Sequence, residues 1–339
     1  MRVLVDSYNL VTQNPSGGVK VRIENYIRHI EGKIEIKRFD KWVDRVDEYD
    51  LVHIFKSSSE SWTMMKYAHS KGIPVVVSSV VPSEKRLAIW LNRLLCSKLP
   101  VYSDRYMNEL VLKNADAIIA QTEIEKQFIA KNFRICEKKI YVIPNGVSLD
   151  LEREISADYF FSRTGIEGKY ILQVGRFDEN KNQLSVIEAV KDTDMQLVFI
   201  GGADKECPEY YEICKSLAGK NIRFLGWVDH NDILLQAAYR NAQVVILPSH
   251  KEIFGNSLFE GGACGANLVA SKVLPINEWG LSEWCSTIDP KNIADIKNKL
   301  QKMYEDDKNN LLSEFIVKNF SWEAVTDKYI EIYRNLLNT

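Results

Sequence analysis

Residues 243–265, QVVILPSHKEIFGNSLFEGGACG, decide the fold class of this 339-residue chain. The run 243–247 is apolar without alternation, the pattern of a strand covered on both faces. Such strands belong to parallel sheets clothed by helices. Pro248 ends the run, Gly255 permits a tight turn, and Asn256 or Ser257 can cap the helix that follows. Working outward, further strand-like runs fall at 170–174, 196–200, 222–225 and 267–270. The first half adds 3–6, 34–38, 51–55, 74–78, 117–120 and 140–143. Helical patterns separate these runs, and that alternation is the α/β signature.

The alternation breaks near Pro144-Asn145-Gly146, where turn residues lead into a charged, weakly patterned stretch. At ~100–200 residues per domain the length suits two domains. We place a first domain at 1–150, a second at 151–320 and a terminal helix at 321–339. That helix carries Trp322, Val325, Tyr329, Ile332, Tyr333 and Leu336 at helical spacing behind Ser321, a candidate N-cap. The expectation is two doubly wound, Rossmann-like parallel-sheet domains facing across a cleft.

Composition excludes several classes. With 45% hydrophobic and 27% charged residues, the chain is not disordered. Forty-four Lys+Arg against 46 Asp+Glu give a net charge of −2, which argues against a dedicated nucleic-acid binder. The balance is uneven: residues 1–147 carry 23 Lys+Arg and 17 Asp+Glu, and the remainder carries the excess acid. No run approaches the ~18 apolar residues of a membrane span. The opening MRVLVDSY is strand-like and no signal segment, so we expect a cytoplasmic protein. The six cysteines form no C-x-x-C pair and read as reduced thiols.

In doubly wound sheets, ligands bind beyond the carboxyl ends of the strands, so chemistry belongs in post-strand loops. Three stand out. Gly17-Gly18, before a helix at 19–30, would let backbone N–H groups approach a phosphate, or would simply make a flexible loop. After the strand at 170–174, Arg176 and Lys181 flank Asp178 and Glu179. Either the two cations hold a dianion, or they form a solvated cluster with those carboxylates. In the opening stretch, Glu252 has no structural role in the local pattern and suits a polyhydroxylated ligand. Ser257-x-x-Glu260 spells a capping box.

Together these loops resemble glycosyltransferase family 4, the retaining nucleotide-sugar enzymes of GT-B fold. The resemblance is carried by VGRFDENKNQ (174–183), PSHKEIFGNSLFEGGACGANLVAS (248–271), VIPNGV (142–147) and the closing FSWEAVTDKYIEIYRNLL (320–337). It implies that Arg176 and Lys181 neutralise a donor diphosphate, with backbone N–H groups of Gly18, Asn256 and Ser257. It implies that Glu252 and the backbone of Phe254, Gly255 and Asn256 hold the donor sugar. Glu260 would bind the ribose, leaving capping to Ser257, and the backbone at Gly226, Trp227 and Val228 would hold the base edge. The last helix would cross back to the first domain.

On this reading Arg176, Lys181 and Glu252 carry catalysis, the donor is a nucleotide-diphosphate sugar, and no metal or other cofactor is called on. A D-x-D occurs at Asp192-Thr193-Asp194, but it precedes the strand at 196–200 and reads as a turn. No histidine precedes His29, so the base typical of inverting relatives is missing and retention is expected. Family members often carry a histidine after the fourth strand, where this chain has Ser78-Ser79-Val80. His53, inside a strand, reads as structural. The acceptor would be a glycan or a lipid-linked glycan of surface polysaccharide biosynthesis. Residues 84–105 mix apolar and basic side chains, as an amphipathic helix on the sheet or a peripheral contact with the cytoplasmic membrane face. Two other readings share the architecture: a UDP-sugar 2-epimerase and a non-catalytic nucleotide-sugar-binding subunit.

Overall fold

The computed structural model describes residues 1–8, 11, 18–81, 103–147, 149, 151, 153–156, 158–204 and 208–338. Gly17, Cys96, Cys207 and nearly all of 84–105 lie outside them. The chain forms two compact units, one of 1–146 with 321–339 and one of 147–320. Among the described residues no helix is long and apolar enough to cross a membrane.

The first unit holds a six-stranded parallel sheet: β1 (Arg2–Ser7), β2 (Glu35–Arg38), β3 (Leu51–Phe55), β4 (Val75–Ser78), β5 (Ala117–Ala120) and β6 (Ile140–Val142). Their order is β2-β1-β3-β4-β5-β6. Helices α1 (Gly18–Ile30), α2 (Ser59–Ser70), α3 (Asp104–Asn114) and α4 (Glu123–Phe133) cover it. Ser58 and Thr122 start α2 and α4 by accepting the N–H of Ser61 and Glu125. Strand β3 is buried at every position, His53 included, as a central parallel strand requires.

The C-terminal helix (Trp322–Leu337) belongs to this unit and is capped by Ser321. Its Trp322, Val325, Tyr329, Ile332 and Tyr333 join the core formed with β1, β3 and α1. A Cβ on Gly146 would lie 2.4 Å from the Trp322 ring, so that ring sets the glycine of VIPNGV. Polar groups fasten the same face. Tyr333 bonds Tyr26 and His53 Nδ1, and His53 Nε2 lies 2.8 Å from Ser78 Oγ. Burial and the nearby Arg22 hold the His53 pKa well below its ordinary value, so the ring stays neutral. Its role is structural.

The second unit repeats the plan: β7 (Tyr170–Val174), β8 (Gln196–Ile200), β9 (Ile222–Phe224), β10 (Val244–Leu247), β11 (Asn267–Ser271) and β12 (Cys285–Ile288). All are parallel, in the order β12-β11-β10-β7-β8-β9. Around it lie α5 (Tyr159–Thr164), α6 (Gln183–Val190), α7 (Pro208–Leu217), α8 (Ile233–Asn241), α9 (Asn256–Ala263), α10 (Ile293–Glu305) and α11 (Asn310–Phe320). Apolar clusters fill both faces of the sheet. The eleven strands expected from sequence all form, and β12 was not expected. It pairs with β11 at the edge, and its central Ser286 and Thr287 are not buried, so no apolar run marks it.

Candidate functional site

In the second sheet, β7 leads through α6 to β8 on one side, and β10 leads through α9 to β11 on the other. The strand order therefore reverses between β7 and β10, and the loops after those two strands border the crevice where such folds bind ligands. They are the loops that carry Arg176, Lys181 and Glu252.

Backbone contacts lock these loops together. Gly201 N–H donates to Gly226 O at 2.8 Å, and Gly175 N–H donates to Ile200 O at 2.9 Å. Gly201 has φ +147°, and a Cβ there would lie 1.9 Å from the Gly175 carbonyl oxygen. No side chain fits, which is the physical requirement behind a glycine that sequence reading passed over. Asn180 zips the β7 loop to the β10 loop: its Oδ1 accepts from Lys251 N–H at 2.8 Å, and its Nδ2 donates to Lys251 O at 3.0 Å. Asn182, left-handed at φ 58°, donates to Pro290 O at 2.7 Å.

The helix expected near Asn180 begins later. Residues Glu179–Lys181 form one 3-10 turn, capped by Asp178, which accepts the Lys181 N–H at 2.9 Å, and α6 starts at Gln183. The turn throws the Lys181 side chain toward the β10 loop, where Nζ lies 2.6 Å from Glu252 Oε2. Ser249 Oγ donates to the same oxygen at 3.3 Å. Arg176 is 53% exposed, with Nε 3.0 Å from Asp204 Oδ2 and Nη2 3.1 Å from Asp178 Oδ2. Each cation is thus held by carboxylates. Glu179, a possible partner by sequence, is replaced by Asp204 from the β8 loop.

Gly255, at φ 86°, is the N-cap of α9, so Asn256 and Ser257 lie inside the helix. The capping box read from Ser257-x-x-Glu260 does not form, because Gly255 and not Ser257 holds the N-cap position. Glu260 instead turns inward, 5% exposed, and accepts from the Tyr239 hydroxyl at 2.8 Å. Its other oxygen lies 3.1 Å from His230 Nε2. Burial raises the Glu260 pKa, while His230 and the Tyr239 bond oppose the rise. Phe254 is core, stacked on Phe259 at 4.3 Å, so only its backbone faces the loop. Trp227 is 56% exposed after β9, with Val228 half-buried beside it.

His230, Tyr239, Asn180 and Asp204 escaped sequence reading because each acts through a partner far along the chain. Asp192-Thr193-Asp194 lies in the turn before β8, away from the site. Among the described residues no group of three or more metal-ligating side chains converges.

In the first sheet the order reverses between β1 and β3. A cavity of about 1140 Å³ opens there, lined among others by Asp6, Glu24, Glu60, Trp42 and Tyr67. Burial pushes the Asp6 carboxyl up to about 6, against a backbone bond from Ser7 and with Glu60 adding repulsion. Gly18, a residue of the predicted phosphate loop, opens α1 in this unit.

Comparison with known proteins now decides the family. The description "Glycosyl transferases group 1" matches residues 158–330, just over half of the chain, and "Glycosyltransferase Family 4" matches residues 5–151. The chain belongs to glycosyltransferase family 4. This glycosyltransferase is 22% identical to an uncharacterised glycosyltransferase of Methanocaldococcus jannaschii, the match covering 94% of this chain and 95% of that one. A second from the same organism is 24% identical over 71% of this chain but is matched over only 64% of its own length. The solved structure of Anabaena HepE in complex with UDP superposes with a TM-score of 0.75 at 15% identity, covering 99% and 100% of the two chains. The fold of this glycosyltransferase is GT-B.

Proposed function

We propose that this protein transfers a sugar, with retention and without a metal, from a nucleotide-diphosphate sugar to a hydroxyl of a glycan or lipid-linked glycan. One observation carries the reading: at the strand-order reversal of the second sheet Lys181 meets Glu252, and Arg176, on the same β7 loop, is held by Asp178 and Asp204. A diphosphate entering there takes the two cations, and Lys181 releases Glu252 to accept hydrogen bonds from the donor sugar. The bond from the anomeric carbon to the phosphate oxygen breaks, the bond to the acceptor oxygen forms on the same face, and the acceptor's hydroxyl proton passes to the departing phosphate oxygen. Negative charge grows on the leaving diphosphate, where Arg176, Lys181 and the start of α9 are already placed to stabilise it. Glu260 takes the ribose, and the backbone from Gly226 to Val228 takes the base.

The UDP complex of HepE supports a nucleotide-sugar donor. Retention is supported by the first histidine, His29, lying in the last turn of α1, far along the helix from β1. The first-unit cavity suits the acceptor. Its lining joins carboxylates and exposed aromatic faces, which suit a hydroxyl-rich sugar, to the basic Lys20, Arg38, Lys41 and Arg45.

A panel of nucleotide sugars with oligosaccharide acceptors, run with and without EDTA, tests the reading. Product of unchanged anomeric configuration at equal rate in EDTA is expected. An inverted product, or epimerisation of the donor alone, would overturn it.

A further inference from the structure

Glu260 is buried, yet one of its two side-chain partners reaches the surface. Tyr239, on α8, is buried and fills one carboxylate oxygen. His230, from the loop after β9, faces the other oxygen at 3.1 Å with 28% of its side chain exposed. That loop also presents Trp227 and is pinned to the β8 loop through Gly226. His230 thus stands where the post-strand loops of the second sheet meet the buried carboxylate. A carboxylate oxygen has two acceptor sites, so an oxygen bonded to His230 keeps one for a ligand. Without that partner, a buried carboxyl is more easily protonated, and the Tyr239 bond alone is left to orient it.

We propose that His230 is a positioning residue for the nucleotide: it holds the Glu260 carboxylate charged and oriented so that its free acceptor sites receive the two ribose hydroxyls. This rests on the proposed role of Glu260 in binding ribose. His230 does not contact the reacting atoms. Its contribution is the discrimination of a ribonucleotide from one lacking both hydroxyls.

The test is calorimetric titration of the full chain with UDP, ADP and GDP, each beside its 2′,3′-dideoxy form. The wild type, His230→Ala and His230→Gln are compared. For the base that binds best, the wild type should prefer the ribonucleotide by about tenfold or more, the effect of ~1.4 kcal/mol. His230→Ala should lose most of that preference by weakening the ribonucleotide alone. His230→Gln, whose amide N–H can replace Nε2–H, should restore most of it.

A His230→Ala variant that keeps the full preference, weakens both forms equally or binds the ribonucleotide more tightly overturns the inference and leaves Glu260 standing. A wild type that binds but does not discriminate overturns the ribose role of Glu260, and this inference with it. Binding of none of the three nucleotides removes the donor reading altogether.

Discussion

The two sheets share one plan, six parallel strands with a single reversal of order, but they treat their carboxyl edges differently. At the second sheet the edge is closed and charged. Glycines bring the β7, β8 and β9 loops into backbone contact, Asn180 zips the β7 loop to the β10 loop, and Arg176 and Lys181 each have a carboxylate partner. At the first sheet the reversal opens into a cavity, and the tightly bonded polar groups instead fasten the C-terminal helix. A preformed edge suits a ligand part that is always the same, such as a diphosphate. An open edge with varied lining suits a partner that differs from enzyme to enzyme.

The largest expected effect sharpens the charged side of that contrast. Arg176→Ala should lower kcat by about 10²–10³, as removal of a preorganised donor does elsewhere, with little change in melting temperature because the side chain is half exposed. Steady-state kinetics beside a thermal melt decides this, and a loss confined to KM would count against a role in the transition state.

The next effect lies in the open edge. Asp6 titrates at 3.8 unfolded and near 6 folded. Because the folded value is the higher, its contribution to stability is complete below pH 3.8 and is lost as pH rises through 6. The difference is worth on the order of 3 kcal/mol. Asp6→Asn should therefore unfold later than wild type at pH 7.5 and alike near pH 4. A constant gap across that window would show that the carboxyl is not strained by burial.

Gly146→Ala probes the fastening of the C-terminal helix. The new methyl meets the Trp322 ring, and overpacking of this kind costs ~1–3 kcal/mol. The melting temperature should fall, and Trp322→Leu in the same chain should recover part of the loss by making room. Smallest is Trp42→Ala. At 87% exposed, the residue should alter stability by no more than about 0.5 kcal/mol. It should still raise KM for oligosaccharide acceptors while KM for the donor stays fixed. Equal change in both would place Trp42 outside acceptor binding.

Much of this was legible because burial on two faces leaves a mark on sequence. QVVIL could be read as a strand covered on both faces with nothing else known, whereas the edge strand CSTI could not. Arg176, Lys181 and Glu252 were singled out by their place in loops that follow strands, and the structure sets Lys181 against Glu252. Glu260 shows where local spacing misleads. A capping box needs only residues 257 and 260, and what the carboxylate does instead depends on His230 and Tyr239, which spacing along one helix cannot reveal. Gly201 was silent for the same reason: its constraint is the carbonyl oxygen of Gly175, 26 positions earlier.

The central claim is that the crevice beside β7 and β10 binds a nucleoside diphosphate through Arg176 and Lys181. Thermal melting with nucleoside diphosphates tests it most directly, on the wild type and on the Arg176→Ala, Lys181→Ala double variant. At 100 times Kd a ligand stabilises the fold by about 2.7 kcal/mol. One diphosphate should therefore raise the wild-type midpoint by several degrees, its parent nucleoside should not, and the double variant should lose the response. A double variant that responds as the wild type does, or a wild type that responds to no nucleotide, would contradict the account.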